Sequence, residues 1–229
     1  ENATYVTTEN ELTYDNIGQV TRLNNAHGNT DYAYDVAGRS SSISLPNNQR
    51  IDYSYDLAGQ VSRIVYAGRT ISYAHDAAGN LTSVTEGANV TSYIYNAAGN
   101  LISTTLPNGI RTSYTYDSSA RLTEIRHEKA DTAALIADFT YTLDASGERT
   151  QMVETHPTST RTANYTYDVF KRLTQESDSL YGVTNYSYDN AGNRLSKEII
   201  PLLVTALSPR LLTQYTYGTD NRLTSLTEK

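Results

Sequence analysis

The chain has 229 residues, enough for one large domain or two small ones, with no Cys, no Trp, one Met and 20 Tyr against 2 Phe. Only 19% of residues are charged, which excludes a long-helix or coiled-coil protein; the lack of Cys excludes a disulfide scaffold, a thiolate zinc site and a cysteine nucleophile. The formal net charge of −7 argues against a general binder of nucleic acid or acidic membrane.

Taken in chain order, one pattern returns throughout. It first closes on Tyr14-Asp15, with Gly18 four places after the tyrosine. It recurs as Tyr32, Tyr34, Asp35 and Gly38, then as Tyr53, Tyr55, Asp56 and Gly59. The fourth copy carries His75 at the anchor position, between Tyr73 and Asp76; the fifth has Tyr93, Tyr95 and Gly99, with Asn96 replacing Asp. Tyr114, Tyr116 and Asp117 follow, and then a copy in which Leu143 stands for the anchor. Tyr165, Tyr167 and Asp168, then Tyr186, Tyr188, Asp189 and Gly192, lead to a last copy at Tyr215 and Tyr217. The anchors are separated by 20, 21, 20, 20, 21, 27, 24, 21 and 29 residues. Ten units therefore fill the chain, and 17 of the 20 Tyr occupy two fixed positions.

Each unit reads as strand, turn, strand, turn. In Tyr-x-Tyr the side chains alternate, so both rings share one face of a sheet. Gly four places after the anchor marks one reversal. A second group (Gly28, Gly68, Gly87, Gly109 and Gly182), together with LPNN at 45–48 and LPNG at 106–109, marks the other. The runs after the first turn, such as Val61 to Ile64, space their apolar residues by three, which predicts a bulge or a twisted strand end. The Asp after each anchor is placed to accept backbone N–H bonds in the turn, a task Asn96 can share and a catalytic acid could not yield. The expected fold is all-β: roughly 20 short strands in tandem antiparallel hairpins, forming a single repeat region over residues 1–229. Two segments break the rhythm. Residues 127–138 are helix-prone and suggest an insertion or short helix; residues 197–214 hold Pro201, Pro209 and an apolar run.

Chemistry finds few residues to work with. The four His form no metal-ligand spacing, and no nucleophile elbow, P-loop or dinucleotide fingerprint occurs. The reading is no enzyme, no cofactor, no metal and no catalytic residue. The longest apolar run, at 199–207, is too short to span a bilayer and contains Pro201, and no signal peptide is visible within the chain.

The frames YDVAGR, YDLAGQ and YNAAGN, followed by a Pro-Asn-Gly-type turn and a new Tyr-x-Tyr-Asp, resemble the RHS/YD repeat. The resemblance covers almost the whole chain; it departs at His75, Leu143 and Phe170-Lys171. It implies a spiralling β-sheet that belongs to a hollow shell, as in bacterial RHS polymorphic toxins, Tc toxin B and C components and the adhesive teneurins. It further implies a secreted or cell-surface bacterial protein whose wall encloses or presents a C-terminal toxin or effector. The Asp-Pro core signature at which such shells end is absent from this sequence. About 20 strands at ~4.8 Å roll into a ring only about 30 Å across, so a shell around a folded domain requires more repeats or further chains. The expected partners are the rest of a larger RHS polypeptide, its enclosed effector and further shell chains or a second copy at open strand edges. A face of paired tyrosines makes a glycan the alternative partner, in a carbohydrate-binding or adhesion module.

Overall fold

The computed structural model of the chain describes residues 10–203 and 209–229. The chain divides into two compact units, Glu1–Asn108 and Gly109–Lys229. Unit one contains β1 (Glu11–Tyr14), β2 (Val20–Asn25), β3 (Gly28–Tyr34), β4 (Ser40–Ser44), β5 (Arg50–Tyr55), β6 (Val61–Tyr66), β7 (Arg69–His75), β8 (Leu81–Glu86), β9 (Asn89–Tyr95) and β10 (Leu101–Thr105). Unit two contains β11 (Ile110–Tyr116), β12 (Leu122–Lys129), β13 (Leu135–Leu143), β14 (Arg149–His156), β15 (Ser159–Tyr167), β16 (Leu173–Asp178), β17 (Gly182–Tyr188), β18 (Arg194–Ile200), β19 (Leu211–Tyr217) and β20 (Leu223–Glu228). Within each unit every strand pairs antiparallel with its successor, and no helix occurs among the described residues.

The register explains the three-residue apolar spacing. In β5–β6, Tyr53 faces Ile64 and Ser54 faces Arg63, but Tyr55 faces Val61, leaving Ser62 as an extra residue. That is a β-bulge, and it brings Val61 and Ile64 onto the face that carries the two tyrosines. The same shift falls before the anchor at Tyr34, His75, Tyr116, Leu143, Tyr167, Tyr188 and Tyr217. Tyrosine is thus opposed by aliphatic residues in pairs such as Tyr32–Ile43, Tyr73–Val84 and Tyr114–Ile125. Such cross-strand pairs each contribute about 0.2–1 kcal/mol.

Hydrophobic material is spread along this face. Among the described residues only Ala137 and Ala163 are buried apolar side chains, and no large side chain is fully buried. The face opposite the rings is wetter: Ser54, Ile94 and Thr115, the middle residues of Tyr-x-Tyr runs, are exposed.

The segment 127–138 forms no helix. His127 and Glu128 continue β12 against β11, the chain turns at Lys129–Ala134, and Ala137 comes back opposite His127 in β13. Pairing on both sides of β12 overrides the helical preference of an Ala-rich stretch. In the segment 197–214, β18 continues to Ile200 and β19 begins at Leu211; residues 204–208, and so most of the apolar run's end, lie outside the described residues.

Candidate functional site

The turn after each anchor is built by its own sequence. In the second unit of the repeat, the Gly38 N–H donates to the Asp35 carbonyl at 2.9 Å, and the Asp35 N–H donates to the Arg39 carbonyl at 2.9 Å. Gly38 sits at φ +77°, the left-handed third residue of a three-residue hairpin loop. Asp35 Oδ1 accepts the N–H of Ala37 at 2.9 Å and of Arg39 at 3.0 Å. Asp15, Asp76, Asp117, Asp144 and Asp168 repeat this double acceptance, and Asn96 reproduces it through its amide oxygen. Asp56 and Asp189 accept from the residue four places on. Asp35, Asp76 and Asp189 are held below the ordinary carboxylate range, chiefly by side-chain bonds from Arg39, Asn80 and Asn193. For Asp117 and Asp168 the leading cause is the backbone N–H of Arg121 and Arg172.

Adjacent repeats are tied at two levels. Gln19 and Gln60 donate to the carbonyls of Gly38 and Gly79 in the following turn, at 2.8 and 2.9 Å. Arg121 and Arg172 do the same to Asp144 and Asp189. On the tyrosine face the anchor hydroxyls reach back: Tyr34 to the Val20 carbonyl, Tyr55 to Ser40, Tyr167 to Arg149, Tyr188 to Leu173 and Tyr217 to Arg194, at 2.7–3.0 Å. Each acceptor is the residue just before the bulged position of the preceding hairpin. Tyr32, Tyr53, Tyr93, Tyr114, Tyr165 and Tyr186 lie one row further in, and burial pushes the Tyr165 and Tyr186 hydroxyls up.

Spacing did not point to a group of charges in unit two. Arg161 donates to Asp178 at 2.6 Å and to Glu154 at 3.1 Å, and lies 3.9 Å from Glu176. Its guanidinium stacks on Tyr181, 4.9 Å from the ring centre. Asp178 is 4% exposed and also accepts the N–H groups of Leu180 and Tyr181. Nearby, Arg111 and Arg126 both pair with Glu128, and Arg126 also reaches Asp138. The one sequence signal was the charge itself: Glu176 stands opposite Tyr165, where Ile43, Ile64, Val84 and Ile125 stand opposite Tyr32, Tyr53, Tyr73 and Tyr114.

Arg149 takes a similar liberty, stacking on both Tyr141 and Tyr165 at 5.2 and 5.1 Å, beside the Leu143 that replaces an anchor ring. The concavities are shallow grooves, such as the one lined by Leu57, Ala58, Ala77 and Ala78 between two successive turns. Among the described residues no three His, Cys, Asp or Glu side chains converge to hold a metal. No helix there is long and apolar enough to cross a membrane, which leaves β-barrel insertion untouched.

Antiparallel hairpins of a recurring register, many of them bonded to a neighbour through a turn residue or an anchor tyrosine, define a tandem β-hairpin repeat protein. The family follows from comparison. Residues 3–89 match the family model described as Teneurin YD-shell, and residues 95–132 the one described as RHS Repeat. Both descriptions are of the RHS/YD-repeat kind, and the chain carries that repeat over these two stretches. Among solved structures the chain is similar to the TcdB2-TccC3 complex, with a TM-score of 0.74 at 18% identity over 93% of this chain. A form of that complex without its hypervariable C-terminal region gives a TM-score of 0.57 at 17% identity over 97% of this chain. The chain spans only 14% and 13% of those two chains, and identities this low speak for the fold alone. No protein with a curated description matches the sequence.

Proposed function

We propose that residues 1–229 are one repeat region that acts as a non-enzymatic wall segment. In this reading the wall encloses or presents a C-terminal toxin or effector domain of a secreted or surface bacterial protein. Its partners are the rest of a longer RHS polypeptide, that enclosed domain, and further shell chains.

One observation carries the proposal: the recurring polar groups are used on neighbouring repeats. The Tyr55 hydroxyl bonds Ser40 and Gln60 bonds Gly79, so the residues that recur most often serve cohesion between hairpins. The fold likeness to TcdB2-TccC3 supports it further, since a form of that complex is described by the loss of a hypervariable C-terminal region.

A glycan array probed with the isolated chain separates this reading from a carbohydrate-binding module. The expected result is no selective binding. Strong binding to one glycan class, lost on Tyr→Ala in one or two repeats, would overturn the wall reading.

A further inference from the structure

His156 closes β14 on the tyrosine-bearing face of unit two, where its imidazole touches two groups that can only accept. Nε2 lies 2.8 Å from Glu154 Oε1, and Nδ1 lies 3.2 Å from the Ile136 carbonyl of β13. A neutral imidazole carries one N–H and can satisfy one of them; only the imidazolium donates to both. The geometry therefore selects the charged form.

Glu154 is shared. Its other oxygen accepts from Arg161 on β15, which continues to Asp178 and approaches Glu176 on β16. Asp178 in turn accepts the N–H groups of Leu180 and Tyr181 in the loop before β17. From His156 the contacts thus run from β13 to the start of β17. The charges facing His156 and its network are Glu154 on its own strand, Arg161 on β15, and Glu176 and Asp178 on β16. On β13, Asp138 opposes Thr155 and pairs with Arg126. With His156 protonated the network holds two cations against three carboxylates. Deprotonation leaves Arg161 alone among them.

We propose that His156 is a proton-operated clasp that tightens the β13–β14–β15 hairpins on acidification and loosens them as pH rises above neutrality. The direction agrees with the electrostatics: Glu154, first, and the Ile136 carbonyl hold the His156 ring above its ordinary value, while His156 holds Glu154 below its own. A group raised on folding contributes stability that is complete below its unfolded value near ~6.5 and is lost as pH rises through the higher folded value.

The experiment is an NMR titration of the His156 ring in the intact chain and in Glu154→Gln, with amide exchange followed at the closed end of the β14–β15 hairpin. The expected midpoint in the unmodified chain is above ~6.5, and it moves down in Glu154→Gln. Hairpin-end amides, corrected for intrinsic exchange, are better protected at pH 6 than at pH 8.5, and this difference disappears in His156→Gln. A midpoint at or below ~6.5 in the unmodified chain overturns the proposal, whether or not the variants fold. So does a pH difference in protection that persists in a folded His156→Gln.

Discussion

Tyr55 holds one hairpin to the one before it through a single hydroxyl, 2.7 Å from the Ser40 carbonyl. Removing that oxygen leaves the ring packed against Val61 but strips a part-buried carbonyl of its donor. Tyr55→Phe is expected to cost about 1 kcal/mol in urea unfolding, with the slope of the transition unchanged. An unchanged midpoint would mean that water replaces the hydroxyl.

The fifth residue of each turn block gives a second test at this scale. Ala120 sits at φ +59°, where most repeats have Gly, so Ala120→Gly is expected to stabilise by about 1 kcal/mol. Gly182 is the opposite case. At φ +93° any side chain is strained, and a Cβ there would meet the backbone of Ile200, Pro201 and Leu202. Gly182→Ala is expected to cost more than the left-handed penalty of about 1–2 kcal/mol, measured by the same unfolding. Gly182 was legible in advance as a turn glycine because glycine's φ is written in its identity; the left-handed Ala120 was not, because alanine carries no such mark. The acceptor of each tyrosine hydroxyl was not, because it lies a whole hairpin away and depends on the bulge. Gly218 shows the limit from the other side: it stands where other repeats place Asp or Asn, and Asn221 supplies the left-handed residue of that turn.

The hairpin element explains both what could be read and what was misread. Apolar residues three apart signalled an irregularity, and the register locates it at one residue, Ser62 in β6 and its equivalents. The Ala-rich stretch around residue 134 has a local preference for helix, yet it lies between two strands already committed to pairing, and pairing wins. The Arg161 network escaped notice because its members come from three strands, with no short-range spacing to betray them.

The turns also set how the fold meets acid. Asp35, Asp76, Asp117, Asp168 and Asp189 all titrate below the ordinary carboxylate range in the folded chain. Their stabilisation is therefore present above about pH 4 and is lost as pH falls through the lower folded values. Thermal melts between pH 7 and pH 2.5 should show a flat region and then a fall beginning near pH 4. Asp76→Asn keeps both backbone N–H bonds, as Asn96 does, and should remove that turn's share of the fall; Asp76→Ala should lower the melting temperature already at pH 7. Equal behaviour of the two variants would deny the turn carboxylate its role.

For the whole molecule, the excess of 20 Tyr is a framework feature: 17 fall on two rows, and the anchor row ties hairpin to hairpin. Repeats that contact their neighbours in this way suit a wall, which needs cohesion along its length more than one convergent site. The repeat class was readable from the sequence because ten copies keep a common register. What the proposed wall would enclose was not, because nothing in a repeat's own bonding names a cargo. The most direct test is protease protection of the natural polypeptide that carries these repeats. The account predicts that the domain beyond the repeats resists digestion while the repeat region is folded and becomes sensitive when it unfolds. A downstream domain cleaved as fast beside the folded repeats as on its own would contradict it.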